Sequence, residues 1–204
     1  MRILYFDTET TGLGVKGGYA YGQAYRGQIC QLAYVIEDGG FTAKNFYFAV
    51  DYVEPGASMV NGLNSRLLFM LSGGREFSDD SEEIARDFAS ADVIVAHNFA
   101  FDSKFMQAEF ERIKREFVYK RSFCTMRNCT GFLKLPAARG RYKAPSLYEL
   151  AEFFKVDEAE VNKLNEQLFS SLSGAHDARY DTIKLMLACI KGREICPEMA
   201  AALK

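Results

Sequence analysis

The chain has 204 residues, enough for one α/β domain or at most two small ones. Hydrophobic residues make up 49% and charged residues 25%, which excludes a disordered or low-complexity chain. A net charge of −2 argues against a protein that coats nucleic acid indiscriminately, though not against a local basic surface.

The first element is the apolar run Ile3-Leu4-Tyr5-Phe6, the pattern of a buried central strand, which leads into Asp7-Thr8-Glu9-Thr10-Thr11-Gly12-Leu13. Residues 14–27 are rich in glycine and tyrosine (Gly14, Gly17, Gly18, Gly22, Gly27, Tyr19, Tyr21, Tyr25) and read as a mobile, substrate-gating loop. Residues 28–37 and 41–50 read as strands joined by the turn Asp38-Gly39-Gly40, so the first three strands form an antiparallel meander. Pro55 and Gly56 break the pattern, and residues 64–71 read as a short helix. Asp80 and Glu83 have capping-box spacing and open a helix over 81–90, with Ile84, Ala85 and Phe88 on one face.

Val93-Ile94-Val95-Ala96 is a short buried strand, and a helix then runs to about residue 116 with Phe105, Met106 and Phe110 inward. Another short strand falls within 117–124. Ser146 and Glu149 form a second capping box, and the last helix spans about 177–191 around Ile183, Leu187 and Ile190. A meander followed by strand–helix alternation predicts an α/β fold: one mixed sheet of about five strands flanked by helices, in a single domain over 1–204.

The five cysteines (Cys30, Cys124, Cys129, Cys189, Cys196) show no C-x-x-C pair and no zinc spacing, which points to reduced thiols and a cytoplasmic protein. The opening Met1-Arg2-Ile3-Leu4-Tyr5 reaches Asp7 too soon for a signal peptide. No apolar run approaches the roughly 18 residues of a membrane span, so no membrane partner is expected.

Asp7 and Glu9 lie two residues apart, so in a strand both carboxylates project from one face. Two acids at the end of an apolar strand are costly unless paired, and a hard divalent cation is the natural partner. The alternative is a solvated strand end turning at Gly12. Asp102 follows a buried strand and opens a helix, where the helix dipole alone would favour an acid. Asp181 lies early in a helix and by itself reads equally as a solvated residue. His176 sits just ahead of that helix; with a reference pKa near 6.5 an imidazole can accept a proton near neutrality, though beside Gly174 it can also be a plain turn residue.

Taken as a set, Asp7-x-Glu9, His97-Asn98-x-x-Phe101-Asp102 and His176-x-x-x-x-Asp181 occur in this order with domain-scale gaps. The set, with its Phe-Asp-Thr-Glu-Thr-Thr-Gly-Leu context, resembles the DEDD exonuclease superfamily in its His-containing (DEDDh, DnaQ-like) subgroup, relatives of the proofreading exonucleases and of ribonuclease T. The resemblance covers residues 1 to about 191. It implies a ribonuclease-H-like fold and a metal-dependent 3′→5′ exonuclease that releases 5′-mononucleotides from DNA or RNA.

It also implies two divalent cations, Mg²⁺ or Mn²⁺, held by Asp7, Glu9, Asp102 and Asp181, with His176 as general base. Asp7 would bridge both ions, Glu9 and Asp181 would complete the site that binds the attacking water, and Asp102 would serve the second ion. Thr8, Thr10, Asn61 and Phe101 are implied as contacts to the terminal 3′ nucleotide, and His97 as a support of the Asp102 turn or a border of the nucleotide pocket. The implied partner is nucleic acid with a free 3′ end, single-stranded DNA or RNA, with a DNA polymerase or a second copy of the chain as further candidates. Proofreading, DNA repair and RNA trimming all fit this set. A non-catalytic nucleic-acid-binding or polymerase-associated subunit with an idle site is the alternative, and it predicts salt-sensitive binding without turnover.

Residues 112–143 contain ten basic side chains (Arg112, Lys114, Arg115, Lys120, Arg121, Arg127, Lys134, Arg139, Arg141, Lys143) and one acid, Glu116. This segment carries +9 and leaves −11 for the rest, a segregation that suits a phosphate backbone or, more plainly, a solvated basic face. Phe132, Tyr142 and Tyr148 lie in or near it and could stack on bases. Gly12-x-Gly14-x-x-Gly17 matches a dinucleotide-binding fingerprint, but no apolar helical stripe follows its glycines, which argues against a nicotinamide or flavin enzyme.

Overall fold

The first strand alternates its side chains between two apolar layers, and the remaining elements pack against those layers. The structure is a computed structural model that describes residues 1–14, 27–137 and 140–204, with the backbone alone for 18–20 and 23–25. Strand β1 (Ile3–Thr10) is followed by a small hairpin, β2 (Gly18–Ala20) and β3 (Gln23–Tyr25), then by β4 (Ile29–Glu37) and β5 (Phe41–Tyr47). Helices α1 (Pro55–Asn61), α2 (Ser65–Ser72) and α3 (Phe77–Ser90) lead to β6 (Val93–Ala96), and α4 (Phe99–Arg112) leads to β7 (Ser122–Cys124). Helices α5 (Thr125–Leu133), α6 (Leu147–Phe153), α7 (Glu158–Phe169), α8 (Ala178–Gly192) and α9 (Pro197–Leu203) follow.

The main sheet has the order β5-β4-β1-β6-β7. The pairs β5–β4 and β4–β1 are antiparallel, and β1–β6 and β6–β7 are parallel, so the sheet is mixed with β1 at its centre. On one face Ile3, Tyr5, Val93 and Val95 join Ile183, Met186 and Leu187 of α8. On the other, Leu4, Phe6 and Ile94 join Phe88 of α3 and Phe105 and Phe110 of α4. Burying each such large side chain contributes about 2–3 kcal/mol. Helix α8 is buried almost all round, from Thr182 to Cys189, because it lies on β1 and β4. Among the described residues no helix is long and apolar enough to cross a membrane.

Several expectations shift. Helix α3 starts at Phe77, four residues ahead of the expected start, and its capping box is Glu76 with Asp79. Asp80 and Glu83 instead serve ion pairs with Arg75 and Lys44. The box moves because Phe77 is buried in the core and must belong to the helix. Pro55 opens α1 at a first-turn position rather than breaking the chain, as a residue without a needed amide hydrogen can. Helices α5, α7 and α9 were not expected, and the helix before β7 ends at Arg112 rather than 116.

Within the glycine–tyrosine stretch, Gly18–Ala20 pair with Gln23–Tyr25 as strands, where a loop was expected. Residues 15–17, 21, 22 and 26, including Gly17 of the fingerprint, Tyr21 and Gly22, lie outside the described residues, as does Arg139. The neck of this excursion is narrow. The Gly27 amide donates to the Gly14 carbonyl at 3.2 Å and the Thr11 amide to Gln28 at 2.9 Å. A Cβ on Gly27 would lie 2.2 Å from that Gly14 oxygen, so only glycine fits there. Helix α4 braces the neck: the Arg112 guanidinium donates to the Gly27 carbonyl (2.5 Å), and Glu109 accepts the Ile29 amide (2.7 Å).

Candidate active site

Beyond Phe6 the central strand runs out of apolar residues, and there the acids begin. Asp7 and Glu9 continue the face of Ile3 and Tyr5, the face covered by α8. Asp181 stands in the first turn of α8. Carboxylate oxygens of Asp7, Glu9 and Asp181 lie within 4.8 Å of one another. Asp102, in the first turn of α4, comes from the opposite face. Thr8 points that way between the two acids, and its hydroxyl donates to Asp102 Oδ1 at 2.7 Å. The strand therefore holds two carboxylates directly and a third through a threonine.

The placement of Asp181 depends on β4. Ala33 pairs with Asp7 across the ladder, and Gln31 with Glu9. The Ala33 carbonyl accepts from the Thr182 hydroxyl (3.2 Å). The Gln31 carboxamide accepts the Ala178 amide (3.2 Å) and donates to Asp177 Oδ1 (3.1 Å) and Asn45 Oδ1 (2.8 Å). Asp177 caps α8 and also grips Arg179, whose guanidinium lies 5.7 Å from the centre of the Tyr47 ring. Asp181 thus sits between two fixing points, each opposite one of the β1 acids.

Burial raises all four carboxylates, and the charges of the other acids add to it at Asp7 and Glu9. Burial pushes Asp7 well above the usual carboxylate range, reinforced by the charges of Asp102, Asp181 and Glu9. Burial and Asp181 push Glu9 up to about 8, with the Asn61 side chain opposing. Burial raises Asp102 to about 7 against the Thr8 hydroxyl. Asp181 rises to about 6 through burial, opposed by the His176 amide, which donates to its Oδ2 at 3.1 Å. None of the four has a lysine or arginine within salt-bridge distance among the described residues. Such an all-oxygen donor set suits hard divalent cations and would be neutralised by them.

Beside the acids lies a cavity of about 330 Å³. Thr8, Glu9, Thr10, Asn61 and Phe101 line it, which brings together all but one of the residues expected at the terminal nucleotide. The Thr10 hydroxyl is engaged with the Gly12 carbonyl (2.7 Å), so that residue offers the cavity its backbone. The exception is His97. Its Nδ1 meets Thr125 Oγ1 at 2.9 Å and its Nε2 the Pro145 carbonyl at 3.0 Å, and burial lowers its pKa to about 4. It ties the β6–α4 turn to α5 and the segment before α6. His176 is exposed, with φ at 63° in the turn before α8.

Leu13, Glu54, Ala57 and Val60 also line the cavity. Leu13 and Val60 are exposed apolar side chains beside the acids. No motif marks Glu54 or Ala57, because α1 was not visible in the sequence. Gln31 carried one signal, a lone polar residue in the otherwise apolar run Ile29–Ile36.

A mixed sheet in this order, with four carboxylates gathered where its first strand ends, is the architecture of a DEDD nuclease in the ribonuclease-H-like superfamily. The chain belongs to the exonuclease family: the RNase_T (Exonuclease) family model matches residues 4–189. It is similar to DNA polymerase III subunit epsilon of Escherichia coli K12, 28% identical over 165 residues, and to that of Salmonella typhimurium, 29% identical over 163. Each match covers 78% of this chain and 63% of the relative, so the chain spans less than two thirds of their length.

Among solved structures, the zinc-bound complex of E. coli ExoI with single-stranded DNA aligns over 98% of this chain and 42% of that one, with TM-score 0.67 and 19% identity. The nuclease domain of 3′hExo, a DEDDh family member bound to rAMP, aligns over 97% and 94%, with TM-score 0.51 and 11% identity. At these identities the two structures bear on the fold.

Proposed function

We propose that this chain is a 3′→5′ exonuclease that removes 5′-mononucleotides from single-stranded nucleic acid with two divalent cations, Mg²⁺ or Mn²⁺. The observation that carries this is the meeting of Asp7, Glu9 and Asp181 within 4.8 Å, with no lysine or arginine in salt-bridge contact with them among the described residues. Asp7, Glu9 and Asp181 would hold one cation, and Asp7 with Asp102 the other. Bound there, the cations would supply charge that activates a water and stabilises the leaving oxygen of an in-line displacement.

The chain's own groups do the rest. Phe101 and Asn61 pack and orient the terminal nucleotide in the cavity beside Glu9. His176, exposed and bonded through its backbone amide to Asp181, takes the proton of the attacking water. The water oxygen joins the phosphorus, the bond to the 3′ oxygen of the shortened strand breaks, and a 5′-mononucleotide leaves. The likeness to subunits of DNA polymerase III supports a polymerase as the assembly partner.

The test is digestion of one oligonucleotide labelled at either end, as single-stranded DNA, duplex DNA and RNA, with Mg²⁺ or Mn²⁺. A 3′ label should leave at once as mononucleotide, while a 5′ label should pass through a descending ladder. Internal cuts, a ladder from the other end, or activity in excess chelator would overturn the reading. His176→Ala should lower kcat by roughly 10²–10⁴.

A further inference from the structure

A second depression, of about 420 Å³, lies on the other side of the turn that opens α4. Asn98, Phe99 and Ala100 line it from that turn, and Cys124, Arg127 and Asn128 from the start of α5. The two cavities share one stretch of backbone: Phe101 faces the acidic site and Ala100 the second depression. Their chemistry is opposite. No carboxylate lines the second one. Arg127 is exposed and has no ion-pair partner among the described residues.

Other concave patches differ. That around Lys114 and Arg115 includes Glu111 and Glu116, and that around Arg193 includes Glu37, its salt-bridge partner at 2.6 Å. Within the basic segment 112–143, Arg112, Arg115, Lys120 and Lys143 are matched by Glu109, Glu82, Asp92 and Glu149. Arg127 and Lys134 are exposed and carry no such match among the described residues. Arg127 and Thr130, which also lines the cavity, lie three residues apart on one face of α5, and Lys134 follows as its left-handed C-cap.

A guanidinium, two carboxamides and an aromatic ring, without an acid, form a donor set for a nucleotide. The guanidinium suits the phosphate and the amides suit base edges, while Phe99, packed edge-on against Phe6 and Tyr119, gives the depression an apolar wall. We propose that this depression holds a nucleotide further 5′ on the strand whose 3′ end occupies the acidic site, with Arg127 on its phosphate. This rests on the exonuclease reading given above. The strand would cross the first turn of α4, where Phe101 and Ala100 face its two halves.

The experiment compares kcat/KM for a dinucleotide and a decanucleotide of thymidine, and measures binding of the labelled decanucleotide in chelator across a salt series. Arg127→Ala should lower the decanucleotide-to-dinucleotide ratio of kcat/KM about tenfold, the weight of one charge-assisted hydrogen bond. The slope of log affinity against log salt should flatten by about 0.7, as expected when a single phosphate is no longer neutralised. Asn128→Asp, which puts a carboxylate into the cavity, should lower the ratio further. An unchanged ratio and slope in both variants would overturn the proposal. If the parent protein hydrolyses neither oligonucleotide yet Arg127→Ala still flattens the salt slope, the exonuclease reading fails and the subsite stands.

Discussion

Two groups of acids in this molecule make opposite use of burial. On the β5 side, Asp87 accepts the Tyr34 hydroxyl at 2.8 Å and pairs with Lys44 at 2.5 Å, while Glu83 meets the same lysine at 2.6 Å. Every charge there has a partner. At the end of β1, Asp7, Glu9, Asp102 and Asp181 face one another with only hydroxyl, amide and backbone partners. The first arrangement fastens α3 to the sheet. The second holds repulsion that folding alone does not reward, which marks it as a place for something absent from the chain.

Breaking each group should separate the two roles. Asp7→Asn should cut nuclease turnover on the order of 10³-fold, several kcal/mol of lost charge stabilisation, while leaving the melting temperature unchanged or raised. A variant that lost activity only in proportion to lost folded protein would refute the contrast. Asp87→Ala should do the reverse: about 1–3 kcal/mol of stability lost in chemical denaturation, because the buried Tyr34 hydroxyl loses its acceptor while Lys44 keeps only Glu83, with kcat of the remaining folded enzyme unaltered.

Gln31→Leu tests the link between β4 and α8. Outer contacts that orient acidic ligands are worth roughly 10–100-fold in activity or metal affinity. The expected sign is a higher Mn²⁺ concentration for half-maximal rate with little change in oligonucleotide KM, and Gln31→Asn should not rescue it.

The smallest effect concerns pH. Because these carboxylates are raised, the folded chain holds their protons more tightly than the unfolded one. Their favourable contribution is whole below about pH 4 and drains away as pH climbs through about 6 for Asp181, 7 for Asp102 and 8 for Glu9. In chelator the melting temperature should therefore drop between pH 5 and pH 8, and added Mg²⁺ should restore more at pH 8 than at pH 5. Equal Mg²⁺ effects at both pH values would contradict the repulsion.

How far the sequence revealed this depends on the distance over which each residue works. Asp7 and Glu9 were legible because strand periodicity is local, and the meander was legible from the turn at Asp38-Gly39-Gly40. The gathering of Asp102 and Asp181 beside them was not local, and only the shared motif pattern suggested it. Thr8 read as a substrate contact and lines the cavity, but the bond of its hydroxyl to a residue 94 positions away had no sequence signal. His97 read as a support of the Asp102 turn or a border of the pocket; its nitrogens brace that turn against Thr125 and Pro145, 28 and 48 positions on, partners no local pattern names. Helix α7 does carry a helical stripe, Val161, Leu164, Leu168 and Phe169 against the core, but Asn165 sits buried in its middle and charged residues surround it, which masked the pattern.

The neck between Gly14 and Gly27 has a consequence of its own. The chain leaves β1 and re-enters its neighbour β4 through a neck closed by main-chain bonds and clamped by Glu109 and Arg112. Whatever is spliced between those two glycines leaves the pairing of Asp7 with Ala33 untouched. Evolution, or an engineer, can lengthen, trim or replace that outpost to suit new substrates while the chemistry behind it stays still.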